Sequence, residues 1–192
     1  MIAIIKYNAG NVKSVENAVR RLGYDCCITD DVEKIRAADK VIFPGVGEAS
    51  SAMAYLKERD LDKVITSIEQ PFLGICLGLQ LMCTHSEEGD TTCLGIFDTE
   101  VKLFPATEKV PHMGWNNFDK LEGSLFEGVR TKDDVYYVHS YYAEPCASTV
   151  ATCHYIRPFS AGLQKNNFYA TQFHPEKSAQ VGQQILKNFL EL

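Results

Sequence analysis

Cys76 sits between two glycines, Gly74 and Gly78, in the run Pro71-Phe72-Leu73-Gly74-Ile75-Cys76-Leu77-Gly78-Leu79-Gln80-Leu81. This is the spacing of a nucleophile elbow, with cysteine in place of serine. A sharp strand-to-helix turn brings two backbones together, and a Cβ at either flanking position would collide. The sulfur would lie at a helix N-terminus, where the dipole favours a thiolate. The backbone N–H of Leu77 could then donate to an oxyanion. The same residues also read as a plain buried strand end, because free cysteine packs as a small apolar group. A thiolate nucleophile needs a base, and the base needs an orienting group. The run Tyr169-Ala170-Thr171-Gln172-Phe173-His174-Pro175-Glu176-Lys177-Ser178 supplies both in His174 and Glu176. Pro175 fixes its own φ and biases His174 towards an extended backbone. The turn could return the Glu176 carboxylate to one imidazole nitrogen and leave the other for Cys76. A strand-end His beside a helix-capping Glu is the alternative; with the elbow present, the triad is the better reading.

These residues must be held by elements that the pattern predicts. Ile2 to Tyr7 reads as a first strand, followed by the turn Asn8-Ala9-Gly10-Asn11 and a helix to about Leu22. Val12, Val15, Ala18, Val19 and Leu22 recur at helical spacing on that helix. Asp25 to Thr29 and Asp39 to Phe43 are further strands, the latter running into Pro44-Gly45-Val46-Gly47. Helices follow over about Ala49 to Arg59 and Leu61 to Glu69, then the elbow strand and a helix to about Thr84. This alternation predicts an α/β fold, three-layered, with a mostly parallel central sheet whose sites lie at the carboxyl ends of strands. Cys76 and the Gly45 turn both fall there. An antiparallel extension is expected from the middle of the chain. Leu94 to Phe97 and Glu100 to Phe104 read as edge elements, His112 to Asn116 as a short Gly-containing turn with the only Trp, and Asp134 to Tyr142 as one aromatic strand. On that strand Tyr136 and Val138 should face one way, Tyr137 and His139 the other. Ser148 to Arg157 and Asn167 to Phe173 are strands, and Ser178 is placed to cap a last helix with Val181, Ile185, Leu186, Phe189 and Leu190 on its apolar face.

With 192 residues, the chain suffices for one substantial domain, residues 1–192, but not comfortably two. A net charge of −6 argues against a nucleic-acid binder and gives no reason to expect an anionic membrane as partner. Seven cysteines without a C-x-x-C predict no disulfide framework and fit a reducing, cytoplasmic compartment. The first residues are too short an apolar run for a signal segment, and no run approaches transmembrane length. No metal or organic cofactor is expected, since His and Cys have no clustered ligand spacing.

G-x-C-x-G-x-Q together with the late H-P-E resembles the class I glutamine amidotransferases and their Cys-His-Glu triad. Pro44-Gly45-Val46-Gly47, Pro111-His112-Met113-Gly114-Trp115-Asn116 and Tyr136-Tyr137-Val138-His139-Ser140-Tyr141-Tyr142 are similar to blocks of the family's glutaminase subunits of imidazole glycerol phosphate synthase, over essentially the whole chain. The resemblance implies that Cys76, His174 and Glu176 hydrolyse the side-chain amide of glutamine. It implies oxyanion donors from Leu77 and the turn around Val46 and Gly47. Gln80, one helical turn after Cys76, Glu88, and the backbone around His139, Ser140 and Tyr141 would bind glutamine. It further implies a (β/α)₈-barrel cyclase as partner in a heterodimer of histidine biosynthesis, docked over a rim that includes Asn11, Met113, Trp115, Tyr136 and Lys177. Trp115 also reads as a plain core anchor, and Glu88 as part of a solvated acidic turn. A paralogous glutaminase serving another synthase, such as an amino-sugar amidating enzyme, is the alternative. A non-catalytic interaction subunit would be expected to lose one triad member, and none is missing.

Overall fold

The computed structural model describes all 192 residues. In chain order the first half contains β1 (Ile2–Ile5), α1 (Val12–Arg21), β2 (Cys26–Thr29), α2 (Val32–Ala37), β3 (Lys40–Phe43), α3 (Ala49–Glu58), α4 (Leu61–Thr66), β4 (Phe72–Ile75) and α5 (Leu77–Leu81). The second half contains β5 (His85–Ser86), β6 (Thr91–Thr92), β7 (Glu100–Leu103), β8 (His112–Asn116), β9 (Lys120–Leu121), β10 (Val135–His139), β11 (Tyr141–Ala143), β12 (Thr149–Tyr155), β13 (Arg157–Lys165), β14 (Phe168–Thr171) and α6 (Ala179–Leu190).

An eight-stranded sheet runs β2-β1-β3-β4-β14-β13-β12-β9. Its first five strands pair in parallel and the remaining pairs are antiparallel. Strand alternation splits the core in two. Ala3, Ile5, Val41 and Phe43 face α2 to α5, burying Ile35, Leu56, Ile65 and Leu79 on that side. Ile2, Ile4, Ile42 and Leu73 face α1 and α6, with Val15, Val19, Ile185 and Phe189. This is the predicted three-layer α/β architecture, and period 2 on the strands with period 3.6 on the helices accounts for it.

Several elements depart from expectation. The antiparallel extension comes chiefly from β12 and β13, late in the chain, added beside β14. Most of the middle builds two small sheets instead: the ribbon β10-β8 and the four-stranded β11-β7-β5-β6. Leu94 to Phe97 forms no strand; its amides reach back to carbonyls of Leu81, Met82 and Cys83, closing the end of α5. The stretch from Asp134 to Tyr142 is two strands in different sheets, broken at Ser140. His112 to Asn116 is a strand, with Gly114 at φ 133° opposite Tyr137. The α5 helix ends at Leu81, short of Thr84. Helix α2 and strand β13 lie outside the predicted elements. In α2 only Ile35 is buried, so no periodicity marks it; its one local signal is the Asp31 cap, which accepts from Glu33 and Lys34 N–H. Ser178 does not cap α6 with its side chain. Its buried Oγ donates to His174 O at 2.6 Å and accepts from Tyr136 N–H at 2.9 Å.

Candidate active site

Two adjacent parallel strands bring the chemistry together. The register of β4 on β14 pairs Ile75 with Thr171, and Cys76 N–H donates to Thr171 O at 2.8 Å. The residues just past each strand end, Cys76 on one and Gln172 and His174 on the other, therefore lie side by side. At Cys76 the chain turns from β4 into α5 with φ 53° and ψ −107°, a conformation that costs a non-glycine residue about 1–3 kcal/mol. The flanking glycines have the predicted cause. A Cβ on Gly78 would stand 2.0 Å from Phe43 O, and one on Gly74 would stand 2.4 Å from Met82 Sδ.

His174 leaves β14 in an extended conformation, φ −98° and ψ 96°, and Pro175 opens a 3-10 turn over Pro175–Lys177. That turn carries Glu176 back, and its Oε1 lies 2.7 Å from His174 Nδ1, with both side chains fully buried. The backbone of His174 is locked from outside: its N–H donates to Tyr136 O at 2.9 Å, and Ser178 Oγ holds its carbonyl. His174 Nε2 has no hydrogen-bond partner and is left for the sulfur. Burial opposes charge on this imidazole, but the nearby Cys76 sulfur and Glu176 outweigh it and push His174 up to about 10. A carboxylate-backed imidazole next to a strained cysteine at a helix N-terminus is an arrangement for nucleophilic attack with acid–base assistance.

A cavity of about 250 Å³ opens in front of the sulfur, small beside pockets that hold drug-sized ligands. It is lined by Val46, Gly47, Cys76, Leu77, Gln80 and Glu88 on one side and Pro111 and Val138 to Tyr141 on the other. Gln80 Nε2 donates to Tyr141 O at 2.9 Å and to Gln172 Oε1 at 3.1 Å. With both N–H bonds engaged, its carbonyl oxygen is the atom left to meet a ligand N–H. Glu88 accepts Ala49 N–H at 2.9 Å from the first turn of α3, and burial raises its carboxyl. Leu77 N–H is engaged, donating to Gly45 O at 3.2 Å. Neither Val46 nor Gly47 N–H donates to another backbone carbonyl.

The family model "Glutamine amidotransferase class-I" matches residues 3–192. An "Imidazole glycerol phosphate synthase subunit HisH" of Bacteroides fragilis is 59% identical, over 100% of this chain and 99% of its own. The protein of that name from Pasteurella multocida is 47% identical over 99% and 97%. The chain belongs to the class-I glutamine amidotransferase family, among the HisH subunits of imidazole glycerol phosphate synthase. The crystal structure of a glutamine amidotransferase from Thermotoga maritima shares the fold, with a TM-score of 0.64 at 18% identity over 99% of this chain and 82% of that one.

Within this amidotransferase the structure gathers every residue expected to bind glutamine at one cavity, but by different means. Ser140 and Tyr141 lie along its wall. The His139 side chain points away into the core and only its backbone can serve. Its Nδ1 lies 2.8 Å from Tyr141 O and its Nε2 2.9 Å from His112 Nδ1. Because Tyr141 O can only accept, His139 carries its proton on Nδ1 and accepts on Nε2, and His112 must donate from Nδ1. Asn116 Nδ2 then meets His112 Nε2 at 3.3 Å. This directed chain connects β8 to the pocket wall. Burial keeps both imidazoles neutral, holding His112 down to about 4 and His139 to about 3.

The expected rim residues do not behave alike. Trp115 and Met113 are 56% and 60% exposed, so Trp115 is no core anchor. Trp115 lies edge-on to half-buried Tyr136, with ring centroids 5.9 Å apart, and Lys177 is exposed. Asn11 turns its amide inward to Glu176 Oε1, giving the carboxylate a second donor. Sequence reasoning missed Gln172, His112 and the locking role of Ser178. Gln172 had a signal: an amide two residues before the histidine, between the strand and the H-P-E turn.

Proposed function

We propose that this subunit hydrolyses glutamine at Cys76 and delivers the ammonia to a (β/α)₈-barrel cyclase docked over the β8–β10 face. The observation that carries the reading is the strained Cys76 at the pocket floor beside a buried His174–Glu176 pair. His174 Nε2 takes the thiol proton and the sulfur attacks the carboxamide carbon. The tetrahedral oxyanion is held by backbone N–H groups of Leu77 and of the Val46–Gly47 turn, each worth about 10²–10³ in rate. The imidazolium, stabilised by Glu176, protonates the departing ammonia. Water, deprotonated by the same imidazole, cleaves the γ-glutamyl thioester and restores the thiol. Glu88 faces the substrate ammonium, Gln80 Oε1 accepts from a substrate N–H, and the Ser140–Tyr141 backbone holds the α-carboxylate side.

The bond from Leu77 N–H to Gly45 O supports a second element of the reading. With that donor occupied, the oxyanion hole is incomplete, and the Gly45–Val46 peptide must rotate before turnover. Gly47, at φ 141°, gives the turn this freedom. Docking of the partner would drive the rotation and, at the same time, cover the pocket so that ammonia is not lost to water. Met113, Trp115, Tyr136 and Lys177 form the docking surface, with exposed apolar groups as its anchors. Seven unpaired cysteines favour a reducing, cytoplasmic setting.

The test is a pull-down of the native partner followed by glutaminase assays with and without it. Capture of a barrel cyclase together with a large rise in glutamine turnover is expected. Full activity of the free chain, or capture of an amino-sugar synthase instead, overturns the reading.

A further inference from the structure

Gln172 is fully buried at the base of the site, between the sulfur and Gln80. Its amide orientation is dictated by its neighbours. Tyr141 O can only accept, so the atom of Gln80 facing it is Nε2. That same Nε2 meets Gln172 at 3.1 Å, so the Gln172 atom there is the carbonyl oxygen. The amide nitrogen of Gln172 must then face Cys76, where it lies 3.7 Å from Sγ. A donor is thus aimed at the reacting atom by a buried residue that does not itself line the cavity. The backbone gives it no slack: Gln172 N–H donates to Ala161 O at 2.9 Å, and the adjacent Thr171 carbonyl holds Cys76 N–H.

We infer that Gln172 is a thiolate-stabilising residue, donating through Nε2 to the ionised sulfur of Cys76 and linking it through Gln80 to the pocket wall. The inference rests on Cys76 being the nucleophile. A hydrogen bond to an ionised acceptor is roughly twice as strong as a neutral one, so the donor favours the anion before attack. Once the γ-glutamyl thioester has formed, the sulfur is no longer charged and the same bond weakens. The contact therefore acts on the nucleophile and not on glutamine, and its loss should lower kcat with little change in KM.

The test measures the rate of Cys76 carboxamidomethylation by iodoacetamide against pH in the full chain, read by peptide mass so that the other cysteines do not contribute. For Gln172→Met, which keeps the volume and removes the donor, the half-maximal pH should rise by about one unit and the rate at pH 7 should fall about tenfold. Gln172→Glu, which places a carboxylate at the sulfur, should move the profile further in the same direction. Wild-type protein carrying ¹⁵N-glutamine supplies a readout independent of any variant: the Gln172 side-chain amide proton should shift when Cys76 ionises. A lowered melting temperature with an unmoved alkylation profile, or an amide resonance indifferent to Cys76 ionisation, overturns the inference. Failure of the parent reading looks different: the Cys76→Ala complex would retain glutamine-dependent activity whatever the Gln172 profiles show.

Discussion

The elbow at the end of β4 and the outward face of the β8–β10 ribbon border the same cavity, Cys76 on one side and Val138 on the other. At the elbow Cys76 is held off the ordinary backbone minima, and its neighbours Gln172, His174 and the Glu176 carboxylate are buried and bonded to one another or to the sulfur. On the ribbon the antiparallel register places Trp115 opposite Tyr136 and Met113 opposite Val138, so these four share the outward face. Its large apolar groups are left to solvent. The inward face carries His112, Tyr137 and His139, in ring contact and buried. One region is finished within the chain; the other is finished on one face only. The difference separates groups preorganised within the chain from groups whose burial, in the proposed complex, comes only with association.

The sharpest break in this comparison comes from Cys76→Ala. Glutamine-dependent synthesis by the complex should fall by about 10⁴-fold or more, while synthesis from added ammonia continues, because the partner needs only the product. Normal glutamine use by that complex would remove Cys76 from the chemistry. Gly47→Val tests the junction between the regions. At φ 141° a β-branched residue is strained, so partner-stimulated kcat should drop by about 10²-fold, the worth of one oxyanion donor, with glutamine affinity retained in calorimetry. Equal losses in both would show that the turn only shapes the pocket.

Trp115→Ala acts on the unfinished face. The Kd for the partner should rise by about 30-fold, corresponding to an anchor of roughly 2 kcal/mol, while the free chain keeps its melting temperature. A large stability loss with unchanged affinity would return Trp115 to the core. Asn11 sharpens the border, since its amide reaches Glu176: Asn11→Ala should lower kcat about tenfold, as loss of a hydrogen bond to a charged group does. An effect confined to partner affinity would move Asn11 to the docking face.

A separate effect, on the stability of the free chain, concerns acid. His112 and His139 are neutral when folded and held down to about 4 and about 3, so the unfolded chain binds protons first as pH falls through 6.5. The stability they contribute is fully present above that value and is lost between it and their folded values, at up to about 1.4 kcal/mol per pH unit for each histidine. Urea titrations of the free chain at pH 7, 6 and 5 should show this slope, and His112→Phe should reduce it. A slope unchanged by that variant would mean the buried imidazole does not titrate on unfolding.

Residue type and spacing alone determined the parallel α/β half, the elbow and its glycines, and the H-P-E turn, because each rests on interactions within a few residues: alternation on a strand, a Cβ clash at a tight turn, a proline-fixed φ. The tertiary structure decided what depends on residues far apart in the chain. Helix α2 and the ribbon were not legible, the first because a single buried residue carries no period, the second because a strand whose partner lies across a loop shows only half of its pairing. The register of β4 on β14 puts Gln172 beside Cys76, and the carbonyl of Tyr141 dictates which way two glutamine amides and two imidazoles point. Such directions follow from which donor meets which acceptor in space, and no local pattern encodes that.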